Sequence, residues 1–137
     1  MPTYTLRIQC DDQPGLVAKV AGFLAASGCN IVDAQQFNDA ANQRFFMRVV
    51  FTGPKGASLE ALRGGFAPIA TALAMDWSMR DNAVPQKVVL MVSKFDHCLV
   101  DLLYRYRIGE LNMEVVAIIS NHPREALMTS MIDAFPY

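Results

Sequence analysis

Charge is scarce in this sequence. Twelve Lys and Arg stand against 13 Asp and Glu in 137 residues, so charged side chains make up 18% of the chain, against about 25% in an ordinary soluble domain. A net charge of -1 gives no electrostatic footprint for nucleic acid or for an anionic membrane surface. Long apolar runs are lacking too. The longest uncharged stretch, Val20 to Val32, is broken by Ser27, Gly28 and Asn30 and falls short of the roughly 20 apolar residues a bilayer span needs. Arg7, Asp11 and Asp12 interrupt any secretory core at the N-terminus. Cysteine is limited to Cys10, Cys29 and Cys98, with no C-x-x-C spacing. That excludes a disulfide frame and predicts reduced, mostly buried thiols of a cytoplasmic protein. Apolar residues are not scarce, at 53%, which excludes a disordered chain.

The first 82 residues read as β-α-β-β-α-β. Tyr4 to Cys10 is a strand, and Asp11-Asp12-Gln13-Pro14-Gly15 turns into a helix with a cap-type Asp and a Pro at its start. Leu16, Val20, Phe23 and Leu24 form one apolar helical face, and Ser27-Gly28 stops it. Asn30 to Phe37 is a second strand, followed by a polar turn from Asn38 to Gln43. Phe45, Met47, Val49 and Phe51 then alternate with Arg44, Phe46, Arg48 and Val50. Ser58 can cap a second helix, which Gly64, Gly65 and Pro68 are expected to kink. Met75, Trp77 and Met79 mark a last strand. The order predicts an α+β, ferredoxin-like domain over residues 1–82.

Asp81 to Gln86 is polar and contains Pro85, which places a domain boundary there. Lys87 to Val92 reads as a strand buried on both faces, as parallel sheets require. Asp96 can cap a helix bearing Leu99, Leu102, Leu103 and Tyr106, and Glu114 to Ser120 is a second apolar strand before Asn121-His122-Pro123 and a short helix from Arg124. This is a β-α-β-α start of a parallel, Rossmann-like sheet. Residues 83–137 are too few for a compact α/β domain of about 100–150 residues, so the unit is expected to be incomplete.

Asp12-Gln13-Pro14-Gly15-Leu16, followed by the helix and Gly28-Cys29-Asn30-Ile31, resembles an ACT domain, an amino-acid-sensing module. Together with Lys87 through Leu99, Gly109 through Glu114, and Asn121-His122-Pro123, the whole chain resembles the formyltetrahydrofolate deformylase (10-formyltetrahydrofolate hydrolase) family. There an ACT domain is fused to a formyl-transferase-type domain. The resemblance implies hydrolysis of 10-formyltetrahydrofolate to formate and tetrahydrofolate, feeding purine synthesis, with folate as substrate and no further cofactor or metal. The family's catalytic Asn, His and Asp lie in a later segment, so no catalytic residue is expected within these 137. The chain is expected to be a truncated member that is inactive alone.

The residues of the Asp11–Leu16 turn support two readings. Asp12, Gln13, Pro14, Gly15 and Leu16, with Asn30, can form an effector site, because free N–H groups at a helix start favour a carboxylate. They can equally be a plain start to the helix, with Asp12 as cap and Gly15 as a steric requirement. The resemblance implies small amino acids, glycine or methionine, as effectors. Lys94, Phe95, Asp96 and His97 replace the glycine-rich phosphate loop of related transformylases, which implies lost phosphate binding. His97 and Cys98 are neighbours that point about 100° apart on a helix, and His122 reads as a turn residue. Phe46 and Val50, on an outward strand face, are either scattered surface residues or a contact to a second ACT domain, which would make the chain a homo-oligomer. The rival to the enzyme reading is a stand-alone amino-acid-binding module, and a further one is a non-functional fragment with exposed strand edges.

Overall fold

In the computed structural model, which describes residues 1–137, Thr3–Asp11 (β1) lies between Arg44–Thr52 (β3) and Asp76–Asp81 (β4), antiparallel to both. Asn30–Asp39 (β2) pairs with the outer side of β3, giving the order β2-β3-β1-β4. The helices Leu16–Ala26 (α1) and Leu59–Ala72 (α2) pack on one face. This is the ferredoxin-like arrangement that the element order predicts.

Alternation along β1 turns Tyr4, Leu6, Ile8 and Cys10 toward the helices, and all four are buried. Phe45, Met47, Val49 and Phe51 of β3 and Met79 of β4 join them, while Leu16, Val20, Leu24, Leu62, Phe66 and Ala70 close the core from above. Each large apolar side chain so buried stabilises the fold by roughly 1.5–3 kcal/mol. The helices approach most closely where α2 lacks a side chain: a Cβ on Gly65 would stand 3.0 Å from Cε2 of Phe23. Phe66 is flanked by the rings of Phe23 and Trp77, with centroids 5.4 and 4.9 Å away.

Ser58 caps α2 as expected, its hydroxyl accepting from the Ala61 N–H at 3.3 Å. Pro68 sits inside α2, which nonetheless continues to Ala72. The missing donor would have bonded the Gly64 carbonyl, and that turn is held instead by Phe66, Ile69 and Ala70 against the sheet. β2 runs through Asn38 to Asp39 and does not stop at Phe37; as an edge strand beyond the helices it is exposed along nearly its whole length.

The chain divides into two units, Met1–Ala83 and Val84–Tyr137. In the second, Gln86–Val92 (β5) and Met113–Ser120 (β6) pair in parallel across the connecting helix His97–Arg107 (α3). Leu90, Leu99, Leu103, Val115, Ile118, Leu127 and Ile132 form its core. Burial of β5 on both faces is not observed: Val89 is 45% exposed, Met91 82%, and Ile119 of β6 52%. α3 covers one face only, so alternation leaves every second residue bare. Leu102 faces outward as well, and the expected helix from Arg124 is a 3-10 turn, Arg124–Ala126, followed by another at Ser130–Ala134. The unit is an incomplete Rossmann-like one.

Cys10 is buried and Cys29 half-buried, but Cys98 is exposed, against the expectation of mostly buried thiols. Burial pushes the Cys10 and Cys29 thiols up, away from the reactive thiolate form. Phe66→Ala should therefore cost the first unit about 3–5 kcal/mol, read as a lower urea midpoint. At mildly alkaline pH a thiol reagent should modify Cys98 first and Cys10 last, and the same variant should speed Cys10 modification.

Candidate functional site

β1 ends at Asp11, and Asp12-Gln13-Pro14-Gly15 must turn the chain into α1. Gly15 makes this possible with φ +88°, a left-handed conformation that costs a residue with a Cβ roughly 1–2 kcal/mol. The Asp12 N–H donates to the Gln43 carbonyl at 2.9 Å, tying the turn to the end of the β2–β3 hairpin.

Asp12 does not cap the helix. Its carboxylate accepts from Asn38 Nδ2 at 2.9 Å, and the cap position belongs to Gly15, with no side chain bonded to the helix start. The first helical bond runs from the Lys19 N–H to the Gly15 carbonyl at 3.0 Å. The amides of Leu16, Val17 and Ala18 therefore have no helical acceptor, and the positive end of the helix dipole is left open.

A groove of about 500 Å³ lies against this end, bounded by Asp12, Gln13, Gly15 and Leu16 from the turn, Val17, Ala18 and Ala21 along α1, Gln36 and Asn38 of β2, and Phe45 of β3. The small side chains Ala18 and Ala21 leave room along the helix. Open amides suit a carboxylate, and the Asp12 carboxylate beside them suits an ammonium group. A zwitterion matches both.

Four of the six expected residues, Asp12, Gln13, Gly15 and Leu16, line the groove; Pro14 shapes the turn without lining it. Asn30 is not at the site. It opens β2 opposite Thr52, whereas the groove meets β2 near Asn38, roughly 25 Å further along an extended strand. The reason is topological. β1 and β2 are both antiparallel to β3, so they run in the same direction, and the end of β1 lies level with the end of β2. Asn38 therefore occupies the place expected of Asn30. Gln36 and Asn38 carried a usable signal: strand parity puts them on the helix side with Phe45, where polar residues are out of place.

In the second unit Asp96 precedes α3 at the cap position, but its carboxylate accepts from the Met128 N–H at 3.2 Å and does not bond the helix start. The Ser93 hydroxyl donates to Asn121 Oδ1 at 3.1 Å. His97 and Cys98 are exposed neighbours. His122 is a turn residue, its Nδ1 2.9 Å from Asn121 Oδ1 and its carbonyl accepting from the Tyr137 hydroxyl at 2.8 Å. No three His, Cys, Asp or Glu side chains gather in a metal-binding group.

Residues 4–64 match the ACT domain family. Over 121 residues the chain is 43% identical to a formyltetrahydrofolate deformylase of Corynebacterium sp. (strain P-1), covering 88% of this chain and 42% of that protein. The crystal structure of formyltetrahydrofolate deformylase from Burkholderia mallei superposes with a TM-score of 0.81 at 39% identity, over 99% of this chain and 48% of that one. An ACT domain protein from Streptococcus pneumoniae, at 24% identity and a TM-score of 0.54 over 60% of this chain and 91% of its own, shares the fold. The chain thus spans somewhat under half the length of the deformylases it matches.

A Cβ at Gly15 would meet no atom within 4 Å, so only the backbone conformation resists substitution there. Gly15→Ala should lower stability by about 1–2 kcal/mol in urea unfolding, and Gly15→Asn, which tolerates the left-handed region, should recover part of that loss.

Proposed function

We propose that the chain, which is similar to the N-terminal part of formyltetrahydrofolate deformylases and carries an ACT match, belongs to that family and forms the amino-acid-sensing end of an enzyme that hydrolyses 10-formyltetrahydrofolate. In that reaction water adds to the formyl carbon and the C–N10 bond breaks. N10 takes up a proton, and formate, which can supply purine synthesis, leaves with tetrahydrofolate. We assign none of these 137 residues to the bond-breaking step. The second unit provides the beginning of the formyl-transferase-type domain. In support, its parallel strand pair leaves one apolar face bare, as a larger parallel sheet would before its second layer of helices.

The observation that carries the sensing role is the uncapped start of α1 opening on a groove that also holds the Asp12 carboxylate. A free amino acid of small size, glycine or methionine, places its carboxylate on the Leu16–Ala18 amides and its ammonium group on Asp12. The exposed edge of β2 offers the unpaired backbone groups through which two copies extend one sheet. Three free thiols fit a reducing, cytoplasmic setting. A second reading, an amino-acid-binding module without a hydrolytic partner domain, draws on the same groove and on the ACT match.

Calorimetric titration with glycine and with L-methionine tests the sensing site. One of them should bind, and Asp12→Asn should weaken it about tenfold or more, the loss of one charge-assisted hydrogen bond. Gly15→Val should weaken it further, with the fold checked by circular dichroism. No heat from either amino acid, or unchanged binding to Asp12→Asn, would overturn the assignment. The chain alone should release no formate from 10-formyltetrahydrofolate; turnover would place the catalytic groups among the residues described above.

A further inference from the structure

The fold treats the two edges of the first sheet differently. Hydrogen bonds at the ends of the ladders fix which backbone groups face outward. The Asn82 N–H donates to the Thr3 carbonyl at 2.9 Å, so Thr5–Arg80, Arg7–Ser78 and Gln9–Asp76 are the bonded pairs between β1 and β4. Trp77, Met79 and Asp81 then turn their N–H and C=O groups to the edge. On the other side, the Gly53 N–H donates to the Pro2 carbonyl at 3.1 Å and the Asp12 N–H to the Gln43 carbonyl at 2.9 Å. The odd residues of β3 therefore bond β1 and the even ones bond β2, which leaves the backbone of Ala34, Gln36 and Asn38 facing outward.

At the β4 edge the outward Met79 carbonyl is already taken. Arg63 of α2 donates to it from Nε, at 2.9 Å, and from Nη2. A cation thus lies across the middle of a six-residue strand that also carries Asp76, Arg80 and Asp81, and shortness and charge both discourage strand addition. An approaching strand meets the guanidinium where its own N–H donor has to lie. β2 has no such cover. It is ten residues long, its bulge between Ile31 and Asp33 leaves the stretch to Asp39 regular, and the side chains of Gln36 and Asn38 bond each other and Asp12, not the edge. We infer that Arg63 is an edge guard: it closes the β4 side of the sheet, so that a second copy of this chain adds only at β2 and assembly stops at two. The partner rests on the sheet-extension reading above, whereas the guard rests on Arg63 and β4 alone. Two copies joined β2 to β2 about a two-fold axis leave a β4 edge at each end. Were those open, β2–β2 and β4–β4 joints would alternate and the sheet would grow without closure.

Sedimentation velocity of the 137-residue chain and its variants, at one protein concentration, tests this. The unaltered chain should run as two copies. Ala34→Pro, which removes an outward N–H without touching the β2–β3 ladder, should run as one. Arg63→Met keeps the apolar stem and removes the donors, and should give species larger than two. Combined with Ala34→Pro it should return to two, now joined at β4, with amide exchange slowed at Trp77 and Met79 relative to Ala34→Pro alone. Arg63→Lys, which keeps a cation at the edge, should keep the unaltered size. An Arg63→Met variant no larger than its parent in either background overturns the guard, as do larger species without new protection at Trp77 and Met79. Loss of cooperative melting in both Arg63→Met and Arg63→Gln also overturns it, since the arginine would then serve only the packing of α2 on β4. A single-copy parent in which Arg63→Met pairs through β4 overturns the β2 reading and leaves the guard standing.

Discussion

The alternation of β1 between its two partners is the constraint on which the first unit depends. β1 is bonded on both sides, so its register is pinned twice, and a slip of one residue would exchange its faces completely. Tyr4, Leu6, Ile8 and Cys10 on one side make the floor of the core. Thr5, Arg7, Gln9 and Asp11 on the other make the middle of the open face. Where the strand ends, the need to turn over the sheet and start α1 puts a left-handed glycine next to free amides. Core and groove are thus two consequences of one strand.

The direction of the strands decides what the groove contains. β1 and β2 point the same way, so the helix between them carries the chain back to the starting end before β2 begins. The residue just after α1 is consequently remote from the residue just before it, although the two are close in sequence. Asn38, late in β2, reaches Asp12 and keeps its carboxylate away from the helix amides. A side chain that would otherwise cap the helix is held aside, and the amides stay open to the groove.

Element order, the Ser58 cap, the Gly15 turn and the change of character after Pro85 were legible in the sequence, because local chemistry decides each of them. Periodicity separates helix from strand, and glycine and serine mark helix ends. The failures were those of position in space. Asp12 has the side chain of a cap, but its partner is Asn38, 26 residues away. Val89 and Met91 are apolar enough for burial on both faces, but whether a helix covers the second face is not written in the strand itself. Asn30 was placed by nearness in sequence and displaced by topology. Phe46 and Val50 stood out as outward apolar residues, while Phe37 and the Arg7–Arg48 pair became visible only once register was known, because a cross-strand pair exists in no single segment.

The two faces of the first sheet are nearly independent in energy. A change at Arg7 alters charge on the solvent side while its neighbours Leu6 and Ile8 remain packed on the helix side, and the converse holds for Phe66 beneath the helices. Exposed charges more than about 10 Å apart are largely screened at ordinary ionic strength, so Asp12 beside the α1 groove and Arg7 on the open face act separately. What they share is β1 itself, whose end holds Asp12 and whose middle holds Arg7. Only a ligand that shifted the pairing of β1 with β3 would couple them. The double pinning of that strand, by nine paired positions toward β3 and six toward β4, makes such a shift the most costly movement available to the unit.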